Sequence, residues 1–292
     1  MQWRLLEIDS SLAGAYTGAL NMAVDEAILA DVEAGISPPT FRIYGWSPPC
    51  ISLGHSQNAS RELDLERVRE LGYDVVIRPT GGRAVLHIEE LTYSLIAAHD
   101  SELWCGAQEP SYRAISQAIA QALAEAGFGV TLDRGYPVEK PQELRAMTPC
   151  FSSTARSEVV FGDRKVVGSA QRRLRKAYLQ HGSILVSRQH RNMVECLRLD
   201  ADQRRRYLEI LDQNAVSLEE ALGKPMAWGT LAAGFPARFA SALEIAIEPG
   251  QLTARELAAV TLLTEEKKAL QNQLFRSVPA GSTPTVFGGA HA

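Results

Sequence analysis

No stretch of the 292-residue chain approaches the roughly 20 consecutive apolar residues that cross a bilayer. The N-terminus, Met-Gln-Trp-Arg-Leu-Leu-Glu-Ile-Asp, carries an early acid and no apolar run of signal-peptide length. Neither a membrane span nor a secretory leader is expected, and the cytoplasm is the default location. Cysteine is sparse: Cys50, Cys105, Cys150 and Cys196 lie far apart, with no C-x-x-C pair and no zinc-like grouping with histidine. That spacing argues against a disulfide framework and a metal site, so each thiol is read singly, as a small core residue or as a nucleophile. Charge of one sign is also lacking. Thirty Lys and Arg against 34 Asp and Glu give a formal net charge of −4, which offers no support for nucleic-acid binding. A Gly-x-Ser-x-Gly elbow is absent, so Ser183 does not sit in a hydrolase nucleophile turn.

What is present is an ordinary globular composition, 46% hydrophobic and 22% charged. Residues 2–8 alternate as a strand. Leu20, Val24, Ala27, Ile28 and Val32 fall on one face of a helix over 17–33, with Asn21, Asp25, Glu26 and Asp31 mostly off that face. Strands are expected at 41–44, 74–78, 91–97 and 178–186, and an amphipathic helix at 112–126. Val159-Val160-Phe161, a Gly162-Asp163 turn and Lys165-Val166-Val167 form a predicted hairpin. Beyond it the chain reads as mainly helical, with capping boxes at Ser217/Glu220 and Thr253/Glu256, an apolar stripe of Phe235, Phe239 and Leu243, and Pro236 suited to a first turn. The strands do not alternate regularly with long helices. The expected fold is α+β, a mixed and largely antiparallel β-sheet flanked by helices. Residues 1–250 are expected to form the catalytic domain, and residues 251–292 a C-terminal helical extension with a loose tail.

Four segments can carry chemistry. In Arg78-Pro79-Thr80-Gly81-Gly82-Arg83-Ala84-Val85-Leu86-His87 the paired glycines let the backbone approach a ligand, and Arg78 and Arg83 flank them as candidates to hold a phosphate or carboxylate. The plain alternative is a turn with surface arginines. In Gly162 to Gln171, Lys165 follows the tight turn, and the small residues Gly168, Ser169 and Ala170 leave room for a substrate; the lysine is either a solvated edge residue or turned into a cleft. In Thr148-Pro149-Cys150-Phe151 the cysteine follows proline in a stretch without helix or strand periodicity, which favours a loop. A free thiol is only a few per cent ionised at neutral pH, and a neighbouring ammonium such as Lys165 raises that fraction. In Leu179-Gln180-His181-Gly182-Ser183 a glycine interrupts an apolar strand, which points to a close backbone approach. His181 is a catalytic base or a packed histidine. The basic run Arg164, Lys165, Arg172, Arg173, Arg175 and Lys176 is a solvated face or a patch that steers an acidic partner.

Taken together and in order, from roughly Trp3 to Lys268 and including Asn21-Met22-Ala23-Val24-Asp25-Glu26-Ala27, these segments resemble the biotin/lipoate protein ligase superfamily. The chain is most similar to its cysteine-containing octanoyltransferases that act on the glycine-cleavage H protein, in which the nucleophilic cysteine precedes the lysine hairpin, as Cys150 does here. The resemblance implies octanoyl transfer from acyl carrier protein, through a Cys150 thioester, to a lysine of a lipoyl-carrier protein. Lys165 would assist the thiol and hold the acyl carbonyl. Arg78, Gly81, Gly82, Arg83, Ala84, His87, Gly168, Ser169, Ala170, His181, Gly182 and Ser183 would line the substrate site. It further implies no cofactor and a monomer. The alternative within the superfamily is an ATP-dependent lipoate–protein ligase. Two departures weigh against that alternative: in the first motif Arg83 stands where the ligases usually have a third glycine and Ile88, not aspartate, follows His87, and the chain past about residue 250 is short for the extra domain that many ligases carry.

Overall fold

The computed structural model describes residues 2–7, 16–101, 108–133, 157–226 and 228–277. The strands are β1 (Gln2–Glu7), β2 (Thr40–Tyr44), β3 (Cys50–Leu53), β4 (Asp74–Ile77), β5 (Val85–His87), β6 (Glu90–Ala98), β7 (Thr131–Leu132), β8 (Val159–Phe161), β9 (Arg164–Lys165), β10 (Val167–Arg173), β11 (Ala177–Leu185) and β12 (Ala246–Gly250). The helices are α1 (Gly18–Glu33), α2 (Ala59–Glu62), α3 (Leu65–Glu70), α4 (Gln108–Glu125), α5 (Met193–Cys196), α6 (Ala201–Asn214), α7 (Leu218–Leu222), α8 (Trp228–Ala242) and α9 (Ala254–Arg276). A six-stranded sheet runs β10-β11-β6-β2-β1-β12. It is antiparallel from β10 to β2 and parallel where β1 meets β2 and β12. Two three-stranded sheets, β4-β3-β5 and β7-β8-β9, complete a mixed and largely antiparallel α+β fold, as the sequence predicts.

One face of the large sheet buries Phe41, Tyr93 and Leu95 beneath α4 and α8, with Phe239 stacked on Phe41 at 4.4 Å. The other face meets α1. Thr17 caps that helix, its side chain accepting from the Leu20 amide. Leu20, Val24, Ala27, Ile28 and Val32 pack with Ile96, Leu179 and Val260 as the periodicity requires. The expected polar face is not a solvent face, however. Met22 packs against Cys50 and Val76 of the small sheet, and Asn21, Asp25 and Asp31 are buried. α1 lies between two sheets and α9, so a helix with ordinary amphipathic spacing is covered on nearly every side, leaving Ala30 exposed and Glu26 and Glu33 half-buried. Each apolar side chain it buries contributes about 1.5–3 kcal/mol, while its buried polar groups require partners.

Other departures are local. β3, β5 and β12 are too short to register as periodic runs. Helix α8 begins at Trp228, because Leu231 extends the four-residue spacing of Phe235 and Phe239 toward the N-terminus. Pro236 therefore lies inside the helix rather than in its first turn. Both expected capping boxes form. At the second, Glu256 caps α9 and also takes a two-pronged ion pair from Arg4 on β1, at 2.8 and 2.7 Å. The last helix is thereby tied to the first strand. Glu256→Ala is expected to lower stability by about 3 kcal/mol, since it leaves a guanidinium without its carboxylate. Adding Arg4→Met should recover part of that loss in urea denaturation, whereas loss of the cap alone would not be recovered.

Candidate active site

The loop between β4 and β5 is shaped by its own arginine. Arg78 donates through Nη1 to the Ser52 carbonyl at 2.8 Å, through Nη2 to the carbonyls of Gly81 and Arg83 at 2.8 and 2.7 Å, and through Nε to Thr80 Oγ1 at 3.2 Å. The guanidinium thus holds the glycine loop in shape and lends it positive charge. Gly82 has φ +98°, and a Cβ there would lie 2.8 Å from Arg78 Nη2, so glycine is required. Arg172 on β10, one of the basic run, donates to the Pro79 carbonyl at 2.8 Å and pins the same loop from the other side.

The registers of the large sheet explain Gly182. Ser169, Gly182 and Tyr93 are directly opposed across β10, β11 and β6. Tyr93 Oη and Ser169 Oγ meet at 2.6 Å over the glycine, and a Cβ on residue 182 would come within 2.7 Å of both side chains. Burial pushes the Tyr93 phenol up to about 12, so it remains a hydroxyl.

These elements enclose a cavity of about 330 Å³, at the small end of the roughly 300–1,000 Å³ usual for ligand sites. Of the residues singled out in the sequence, Arg78, Gly82, Arg83, His87, Lys165, Gly168, Ser169, Ala170, His181, Gly182 and Ser183 all lie on its wall. Gly81 and Ala84 belong to the same loop but not to the wall; Ala84 packs into the small-sheet core. Lys165 is not a solvated edge residue. It is 6% exposed, with Nζ 2.6 Å from Glu158 Oε2. β9 is covered by β8 on one side and bridged to Ala215 on the other. Cys150 and Cys105 lie outside the described residues. Cys50 and Cys196 are buried, and burial raises both thiols, the latter to about 12, so neither is a nucleophile at neutral pH.

Sequence reasoning missed the acids behind the wall. Asp25 pairs with Arg42, both fully buried. It also accepts from Tyr44 Oη at 3.1 Å and from His181 Nδ1 at 3.3 Å. Burial alone would raise Asp25, but the Arg42 charge and the His181 hydrogen bond outweigh it, and the carboxyl ends below its ordinary value. Burial holds His181 below the usual histidine range, hence neutral. With Nδ1–H donated to Asp25, its Nε2 accepts from Thr80 Oγ1 at 2.7 Å. A buried polar chain therefore runs Arg42–Asp25–His181–Thr80–Arg78 from α1 to the glycine loop. A polar residue inside an apolar strand or helix, such as Ser52 in Ile-Ser-Leu or Asp25 in α1, was the available signal.

Residues 17–240 match the lipoyl protein ligase A/B catalytic domain, and the chain belongs to that family. It is similar to proteins named octanoyltransferase LipM. The one from Kyrpidia tusciae is 40% identical over 87% of this chain and 92% of its own length. The one from Symbiobacterium thermophilum is 39% identical, over 92% and 97% respectively. The crystal structure of lipoate-protein ligase A bound with ATP superposes with a TM-score of 0.70 at 20% identity, covering 92% of this chain and 96% of that one. A bipartite lipoate protein ligase from Thermoplasma acidophilum gives 0.72 at 19%, covering 97% and 100%. At those identities the structures support the fold alone. No described helix is long and apolar enough to cross a membrane.

Asp25→Asn should cost about 3–5 kcal/mol, because Arg42 stays buried without its counter-charge. Asp25 is held below its unfolded value. It therefore contributes stability above about pH 4 and loses that contribution as the pH falls through its folded value. Thermal melts of the wild type should accordingly fall more steeply below pH 4 than those of the variant.

Proposed function

We propose that this protein is an octanoyltransferase of protein lipoylation, which moves octanoyl from acyl carrier protein to a lysine of a lipoyl-carrier protein such as the glycine-cleavage H protein. The observation that carries the reading is the buried Lys165–Glu158 pair on the wall of a small cavity, in a chain 39–40% identical over most of its length to proteins named octanoyltransferase. The Cys150 thiolate attacks the donor thioester carbonyl, the carrier's thiol leaves, and a thioester forms on the enzyme. Lys165 faces the developing charge, with the backbone N–H groups of Gly82 and the Ser169–Ala170 segment as candidate oxyanion donors. The acceptor amine then displaces Cys150, forming an amide. Exchange of one thioester for another is nearly balanced and thioester to amide runs downhill, so ATP is not consumed. A methylene more or less changes binding by only about 1–3 kcal/mol, so selection for chain length is soft.

Incubated with octanoyl-acyl carrier protein and no ATP, the wild type should gain one octanoyl mass on Cys150, and Cys150→Ala should neither gain it nor modify the acceptor. Transfer that persists in Cys150→Ala and requires lipoate with ATP would replace this reading with the ligase. Glu158→Gln should shift alkylation of Cys150 to lower pH, as more of the Lys165 charge reaches the thiol.

A further inference from the structure

Two histidines line the cavity, and each is tied to a buried carboxylate. His181 meets Asp25. His87 Nδ1 lies 2.7 Å from Glu90 Oε1. The two pairs differ in net charge. Asp25 is already neutralised by Arg42, so a proton added to His181 would leave an excess positive charge in a buried site. Glu90 has no such cation. Its carboxylate accepts from two neutral hydroxyls, Thr92 Oγ1 at 2.6 Å and Ser183 Oγ, and its one ion-pairing partner among the described residues is His87. A proton gained by His87 therefore neutralises its cluster, whereas a proton gained by His181 charges its own.

The tautomer follows from the neighbours. Ser52 Oγ accepts from Arg78 Nη1 at 3.1 Å, so its own hydrogen points to His87 Nε2, 2.7 Å away. His87 then carries its hydrogen on Nδ1 toward Glu90, and Nε2 accepts from the Ser52 hydroxyl, through which a proton reaches it. Trp46 stacks on the imidazole at 4.0 Å and 11° and fixes its plane. Glu90 also lines a second cavity of about 500 Å³, walled by Trp46 and Trp228 and by two further carboxylates, Glu89 and Glu219, that attract a cation. The other charged groups around His87 are Arg78 behind Ser52 and, on the shared cavity wall, Arg83, Lys165 with Glu158, and His181.

We propose that His87, oriented by Glu90, is the base that removes a proton from the incoming primary ammonium. This rests on the acyl-enzyme reading above and supplies what that reading lacks. A lysine side chain arrives protonated at neutral pH, and Lys165 Nζ is committed to Glu158 Oε2 at 2.6 Å. The acceptor ammonium gives its proton to His87 Nε2 by way of Ser52. The resulting amine attacks the thioester carbonyl, the C–N bond forms and the C–S bond breaks. The second amine proton leaves with the Cys150 sulfur, and His87 returns its own proton to solvent.

The test separates the two half-reactions. In His87→Gln, whose fold is checked by near-ultraviolet circular dichroism, acylation by octanoyl-acyl carrier protein should fall far less than transfer. Transfer to the acceptor lysine should fall about 100-fold, the lower range for loss of a general base. The acyl-enzyme should accumulate, and hydroxylamine, an amine already unprotonated at pH 7, should discharge variant and wild type at equal rates. Residual transfer by the variant should climb about tenfold per pH unit toward the lysine's own ionisation near 10.4. Glu90→Gln should show the same pattern more weakly. Unchanged transfer in His87→Gln, or equal losses in acylation, transfer and hydroxylamine discharge, would overturn the proposal while leaving the acyl-enzyme in place. A wild type that never acquires the octanoyl mass would instead sink the thioester reading itself, and this proposal with it.

Discussion

A carboxylate cut off from water must find its solvation inside the protein, and Asp25 is the carboxylate around which this structure is arranged. It sits on α1 where that helix has sheet on two sides. Removing an ion from water costs several kcal/mol, and attraction to a partner offsets this only when the remaining lone pairs are also satisfied. Arg42, Tyr44 and His181 together meet that requirement. Because they come from β2 and β11, satisfying Asp25 fixes the helix against the sheet. Because His181 continues to Thr80 and Arg78, the same chain of bonds fixes the glycine loop over the cavity. Fold and site are set by one network.

Two more buried acids stand at or behind the cavity wall, and their partners sort them. Asp25 is neutralised permanently by a guanidinium. Glu158 is neutralised by an ammonium that can swing only as far as its short strand allows. Glu90 is paired with the His87 imidazole, whose Nδ1 lies 2.7 Å from its Oε1. Of these pairs only Glu158–Lys165 lines the space of about 330 Å³ directly; Asp25 and Glu90 lie one hydrogen bond behind its wall, through His181 and His87. The distinction lies in the partner rather than in the acid.

How much of this could be read from the residues follows from what periodicity and spacing encode. The Gly162-Asp163 hairpin and both capping boxes are local signals, and the fold keeps them. Eleven of the residues singled out converge on one wall because the loop after β4, the hairpin and β11 are brought together by the sheets. Asp25 lies off the apolar stripe as the spacing has it, but a helical period shows which face is apolar, not whether the opposite face meets water. Pro236 was misplaced because a proline signals a helix start more often than an interior. Glu158, one residue before β8, carries no local mark at all; its role exists only once the hairpin has folded back and Lys165 lies beside it. Arg78 looked like an anion binder by residue type, but its five N–H groups are claimed by neighbouring carbonyls and hydroxyls, a fact of loop geometry that no spacing reveals.

Glu158 also limits what Lys165 can do for a thiol. A thiolate about 4 Å from an isolated ammonium, at an effective dielectric near 20, gains about 4 kcal/mol. With the carboxylate 2.6 Å behind the ammonium, and hence some 6.5 Å from the sulfur in the most favourable alignment, the repulsion is about 2.5 kcal/mol. The net is about 1.5 kcal/mol. That stabilises a proposed Cys150 thiolate by roughly tenfold in population, not a thousandfold, so the thiol would rest largely protonated. The same arithmetic favours the step that matters more. An oxyanion that hydrogen-bonds directly to the ammonium gains from short contact as well as charge. The pair is thus better suited to holding the acyl carbonyl as it becomes tetrahedral than to keeping a resting sulfur ionised. A sulfur whose thiolate is only modestly stabilised is also a poorer leaving group than a strongly acidic thiol, so in the proposed mechanism the thioester resists water and waits for the acceptor amine. Such a design places the burden of speed on the amine, and therefore on whatever strips its proton.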